Sequence, residues 1–159
     1  LKEGDKMFKL VRRRKAKGFT LVELLIVMVI IGILAGAMLL VMGPGKDKAN
    51  ATKVVSNLRS MKAAALMYYS DNGSWPSDVG DLNTYMDRPV SADGTIVDSY
   101  TIEQTSDDVY IKAALDSGVS KGLKEKLAEM AEESGLYSDT GGTVYNSNDL
   151  NVYVKLGSK

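Results

Sequence analysis

Residues 18–42 read GFTLVELLIVMVIIGILAGAMLLVM, and from Leu24 to Met42 nineteen consecutive residues carry neither a charged nor a hydrogen-bonding side chain. At about 1.5 Å of rise per helical residue, such a run nearly crosses a hydrocarbon layer of about 30 Å, and Phe19 to Glu23 complete the crossing. No face of this segment is polar, so a helix formed here cannot be an ordinary surface helix. On its amino side lies a basic stretch. Residues 1–18 hold eight Lys or Arg against two acids, whereas the rest of the chain holds twelve basic against eighteen acidic residues. Arg12, Arg13, Arg14, Lys15 and Lys17 directly before the apolar run predict a cytoplasmic amino terminus and an exported carboxyl-terminal body. Nucleic-acid binding is the weaker reading of the same cluster. The polar, basic 1–18 segment is a leader outside the fold, and Met7 within it is a plausible start.

On the carboxyl side the pattern changes. After Lys46 the apolar residues become spaced, with Val54, Leu58, Met61, Ala65 and Tyr68 at alternating steps of four and three, the stripe of an amphipathic helix. A single helix from Phe19 to about Ser70 therefore changes solvent midway. Its weak point is Gly43-Pro44-Gly45, where a kink or local melting is expected because proline removes a backbone donor. Asp71-Asn72-Gly73 closes the helix and Pro76 forbids its continuation. Asn72 to Asp108, rich in Asp, Ser, Gly and Pro, reads as a long surface loop with one strand at Ser99–Glu103. Val109–Leu115 suits a buried strand. Leu123, Leu127, Met130 and Ala131 mark a short helix from about Ser120 to Ser134, capped by Ser120 and stopped at Gly135. Leu150, Val152, Val154 and Leu156 alternate with polar residues as a half-buried final strand, with Thr143–Tyr145 as a hairpin partner across Asn146–Asp149. The fold class is α+β: a long amino-terminal helix, membrane half then amphipathic half, laid on a small antiparallel sheet with one additional short helix. The organisation is leader 1–18, membrane or filament-core half 19–42, and body 43–159.

Composition narrows the chemistry. Among 159 residues there is no cysteine and no histidine, which removes disulfide bracing, the thiol nucleophile, the commonest general base and the usual zinc ligands. Neither a nucleophile elbow nor a phosphate loop is present, and the carboxylates form no recognisable catalytic pattern. The chain reads as a non-enzyme without a cofactor. Asp139, Asn146, Asn148 and Asp149 supply oxygen donors in one region, but their spacing matches no dedicated calcium loop and they read as turn residues, with no metal assigned. Asp78, Asp81, Asp87 and Asp93 read as surface charges. Trp75, Tyr68 and Tyr69 read as packing between the helix end and the following loop. The sequons at Asn50 and Asn72 are given no glycan.

Lys17-Gly18-Phe19-Thr20-Leu21-Val22-Glu23-Leu24-Leu25, followed by the apolar run, resembles the class III signal of type IV pilins and type II secretion pseudopilins. The resemblance covers the leader and first helix and the remainder only in layout. It implies that a prepilin peptidase cuts between Gly18 and Phe19 and methylates the Phe19 amine. The freed helix then becomes the assembly core. It also implies the partners: further copies and minor pilins in a filament, an inner-membrane platform and a cytoplasmic assembly ATPase. Glu23, the lone charge between Lys17 and Lys46, is assigned by the resemblance to filament assembly, paired with the amino terminus of a neighbouring subunit. Helix physics by itself leaves a second reading open, a carboxylate favoured by the helix dipole near the interface. Gly32 and Gly36 form a small-xxx-small pair suited to close helix packing in lipid. Two departures from the family pattern stand out: the proline is Pro44 rather than within Gly36–Leu40, and no carboxyl-terminal disulfide can form.

Two other functions fit an apolar amino-terminal segment. A tethered exported enzyme or binding domain would need a site that the sequence does not supply. Ordinary secretion, with cleavage near Ala35-Gly36-Ala37 or Ala49-Asn50-Ala51, conflicts with the length of the run. Within the filament reading the precursor is a single-pass inner-membrane protein, and the mature form sits in a periplasmic or extracellular filament. The resemblance implies that some pseudopilins hold a calcium ion in a loop after the sheet, so the lack of a recognisable calcium loop leans toward pilin over pseudopilin.

Overall fold

A computed structural model describes residues 18–159; the basic leader and the choice of Met7 lie outside the described residues. The chain divides into two compact units, one ending at Leu40 and the other running Val41–Lys159. Helix α1, Leu21–Asn72, contributes to both.

In the first unit every described residue is exposed. By length and composition the helix is able to cross a membrane, and none of its apolar window is buried.

The second unit has a core. Here α1 turns Ala51, Val54, Val55, Leu58, Met61, Ala64 and Ala65 inward, and Tyr68 packs half-buried at the end of the stripe. The helix stays regular through Gly43, Pro44 and Gly45, so the expected local melting does not occur in the isolated chain. A proline costs a helix interior about 3 kcal/mol. Gly43, however, has no Cβ to meet the proline ring, and the turns on either side continue the hydrogen-bonded ladder. The helix ends as expected at Gly73, which adopts φ +68° and donates its N–H to the Tyr69 carbonyl at 2.8 Å.

Three antiparallel strands, β1 (Val97–Gln104), β2 (Asp108–Leu115) and β3 (Asn151–Ser158), form one sheet in the order β1-β2-β3. The register aligns Ile102, Ile111 and Val154 in one row and Tyr100, Ala113 and Val152 in the next, and both rows join the core cluster that contains the α1 stripe. Rows on the opposite face are polar and aromatic: Glu103, Tyr110 and Lys155, then Thr101, Lys112 and Tyr153. Tyr110 and Tyr153 meet edge to face at 6.5 Å, while Lys112 pairs with Glu103 and Lys155 with Asp108.

The connections bring corrections. The long loop contains a 3₁₀ helix, Val79–Tyr85, that the Asp- and Gly-rich composition concealed. Asp78 caps it and Asp81 reaches back to the Asp78 N–H at 3.1 Å, so these surface acids serve in addition as a capping box. Asp93 likewise organises its loop by accepting from the N–H groups of Thr95, Ile96 and Val97 and pairing with Lys53 at 2.9 Å. The single helix expected over Ser120–Ser134 is two, α2 (Lys121–Glu129) and α3 (Ala131–Ser134), because Met130 shares its N–H between the Lys126 and Leu127 carbonyls and tightens the chain. Ser120 caps α2 through Leu123 N–H at 3.1 Å, and Gly135 closes α3 in the left-handed region.

The Thr143–Tyr145 hairpin with β3 does not form. Tyr137 takes that place, exchanging two backbone hydrogen bonds with Tyr153 and bridging to Val144. Tyr145 is drawn into the core instead, 2% exposed, with its hydroxyl donated to the Asp149 carbonyl at 3.0 Å. Burial, with Asp149 adding to it, pushes its phenol up to about 12. Strand β3 is fastened without a disulfide. Lys155 and the Ser158 hydroxyl both reach Asp108, whose carboxyl they hold below the usual range. The Lys159 N–H meets the Asp107 carbonyl, and the Trp75 indole donates to the Ser158 carbonyl at 3.0 Å. Trp75 also stacks on Tyr69 at 4.5 Å and lies so close over Gly157 that a Cβ there would sit 2.5 Å from the ring. The aromatic group thus packs as expected and additionally clamps the last strand.

Candidate functional site

The residues singled out by sequence gather at the amino end of α1. Gly18 is exposed, and a Cβ added to it would meet nothing within 4 Å. The fold itself makes no demand for glycine there. Phe19 follows, 81% exposed and ahead of the first helical turn. A peptide bond between an unhindered glycine and an exposed residue, outside regular hydrogen bonding, is open to an extended-backbone protease.

Thr20 starts the helix. Its carbonyl accepts from Leu24 N–H at 3.3 Å, and its hydroxyl oxygen accepts from Glu23 N–H at 3.1 Å. The Glu23 carboxylate returns the contact through one oxygen, accepting from the Thr20 N–H at 2.8 Å and the Thr20 hydroxyl at 2.9 Å. Threonine at the cap and glutamate three residues on form a capping box, which satisfies two otherwise orphaned N–H groups. Thr20 is the residue the sequence reading passed over, although Thr-x-x-Glu before an apolar run carries the signal. The reading of Glu23 as a carboxylate favoured at its own helix terminus has its geometry here. The carboxylate caps its own helix, and only one of its two oxygens is engaged. Among the described residues no ion pair includes Glu23.

Gly32 and Gly36 lie one helical turn apart, and a Cβ at either would meet nothing within 4 Å. As at Gly18, the fold of the single chain makes no demand for glycine at either position. The region offered for calcium is arranged differently from a ligand cage. Asp139 accepts from the Gly141 and Thr143 N–H groups, and Asn146 bonds to both Asp149 and the Asn148 N–H. Among the described residues no group of three or more His, Cys, Asp and Glu is placed to hold a metal ion.

Comparison with known proteins divides along the same line. Residues 13–39 match the family described as the prokaryotic N-terminal methylation motif, and residues 46–118 match that described as PilW, C-terminal. Type II secretion system core protein G of Klebsiella michiganensis is 38% identical over 78 residues, 49% of this chain and 55% of that protein. The protein of the same description from Aeromonas hydrophila is 35% identical over 81 residues, covering 51% and 57%. The chain thus spans little more than half the length of these curated relatives. The fimbrial protein EcpC of Eikenella corrodens is 34% identical over 111 residues, 69% of this chain and 70% of that protein. In fold, the major type IV pilin PilA1 from Clostridium difficile superposes with a TM-score of 0.55 at 23% identity, over 72% of this chain and 99% of that one. The fimbrial relative is matched over more than two thirds of both sequences, and the chain belongs to the type IV pilin and pseudopilin family.

Proposed function

We propose that the chain is a structural subunit of a type IV pilus or pilus-like filament, inserted in a membrane as a precursor and polymerised through its first helix. The observation that carries this reading is the first unit, an apolar helix with no residue buried by its own chain. Such a surface is stable only in lipid or against other apolar helices.

In this reading residues 1–18 are the leader and 43–159 the exported body. A prepilin peptidase cleaves after Gly18 and methylates the Phe19 amine. In the membrane the Glu23 carboxylate is satisfied by its own Thr20. On assembly its second oxygen takes up the Phe19 amine of a neighbouring copy, which fixes axial register and neutralises two charges in a dry core. Gly32 and Gly36 allow the packed helices to approach. The partners are further copies, minor pilins, the peptidase, and an inner-membrane platform with its ATPase. Catalysis, a cofactor and nucleic-acid binding have no part in it.

A second reading, a pseudopilin of a type II secretion system, draws on the relatives described as core protein G. The fimbrial relative, aligned over more of this chain, favours the pilus. Intact mass and amino-terminal sequence of protein sheared from cells test the proposal. A chain starting at Phe19 and one methyl group heavier is expected; a chain retaining its leader would overturn it.

A further inference from the structure

From Gly18 onward, Asp47 is the first residue of the chain that is half-buried rather than exposed. Its carboxylate accepts a hydrogen bond at 2.5 Å from the hydroxyl of Ser120, seventy-three residues away. The same hydroxyl oxygen accepts from Leu123 N–H and so serves as the cap of α2. One proton and one lone pair of a single serine therefore join α1 to the start of α2. The other oxygen of Asp47 lies against Gly122, where a Cβ would overlap it. A carboxylate beside the first turn of a helix is also favoured by the positive end of the dipole. Glycine, poor in a helix interior, is what allows that approach.

Directly upstream are Gly43, Pro44 and Gly45, three consecutive weak helix formers. All three are exposed, and a Cβ at either glycine would meet nothing. Directly downstream, one turn on, is Ala51, the first fully buried residue of the helix.

We propose that Asp47, Ser120 and Gly122 form a latch that sets the limit to which α1 can loosen. Unwinding that starts at Pro44 is stopped at Asp47, before it reaches Ala51 and Val54. The backbone upstream can adapt to lipid or to neighbouring helices while the body keeps its core intact. The latch acts within the body and needs no polymer, so its failure and failure of the filament proposal are separate results.

Hydrogen exchange of the full chain in detergent micelles tests it, comparing peptides over residues 41–50 with peptides over 54–65. In Asp47→Ala the exchange of residues 46–50 is expected to rise about tenfold, the scale of one hydrogen bond to a charged group. Val54–Met61 should stay unchanged. Gly122→Ala should do the same even though alanine improves the helix propensity of α2, and should add nothing in the Asp47→Ala background. If Gly122→Ala does not fold, Asp47→Ala alone decides. Unchanged exchange at 46–50 in folded Asp47→Ala overturns the latch, as does equal loosening across 46–61.

Discussion

The two halves of α1 share one secondary structure and almost nothing else. From Leu21 to Leu40 the helix is apolar all round and every residue is exposed. From Ala51 to Ala65 it places seven side chains in a core shared with the sheet. Backbone hydrogen bonds are the same in both, so what differs is where the side chains find their solvent. The body half is specified by contacts within the chain, whereas the first half makes none that bury it. At Gly18, Gly32 and Gly36 nothing in the fold would resist a larger side chain, and the same holds at Gly43 and Gly45.

The comparison breaks or sharpens under substitution. The largest effect is expected at Glu23. Glu23→Ala should leave processed protein in the membrane fraction but reduce sheared filaments by more than about tenfold, because an amine left unpaired in a dry core costs several kcal/mol. Wild-type filament yield would reduce Glu23 to its cap on Thr20. Next comes the body. Leu58, fully buried, should lose about 2–5 kcal/mol of stability on truncation to alanine. Leu34→Ala, on the exposed half, should shift thermal unfolding of the body by less than about 0.5 kcal/mol. Equal shifts followed by circular dichroism would mean the two halves are not separable.

The smallest effect is electrostatic. Lys53 and then the Ile96 N–H hold the Asp93 carboxyl well below the usual carboxylate range. A depressed carboxylate contributes its stability above its unfolded value, about 3.9, and loses it as pH falls further toward the folded value. Melting temperature should therefore drop below about pH 4, and Asp93→Asn should make that slope shallower. Asp108 and Asp139, also held low, keep it from vanishing. An unchanged slope would show that Asp93 does not govern its loop.

What could be read from sequence followed the physics of periodicity. The apolar run, the stripe from Val54 to Ala65, the alternation of β3, the Ser120 cap and the Gly135 stop are local patterns, and each appears where it was expected. The misses were matters of choice among distant partners. Thr143–Tyr145 had the composition of a strand, but Tyr137 reached Tyr153 first, and no local signal ranks two such competitors. The roles of Asp78, Asp81 and Asp93 depended on which loop N–H groups folded over them. The Trp75 clamp joins residues eighty-three apart. At the candidate site the capping box was legible in Thr20 and Glu23 and went unread beside the louder signal of an acid in an apolar helix.

Asp93 has a further consequence. One carboxylate gathers three backbone amides on its carboxyl-terminal side and anchors them to α1 through Lys53. The approach from Asp87 to Ser91 is left out of that arrangement, exposed but for the half-turned Val90. Asp87, Arg88, Pro89 and Ser91 can change with little effect on the body, whereas Val90 packs against its core. Asp93 is thus a fixed point beside a stretch of exposed side chains that the loop does not need for its own shape.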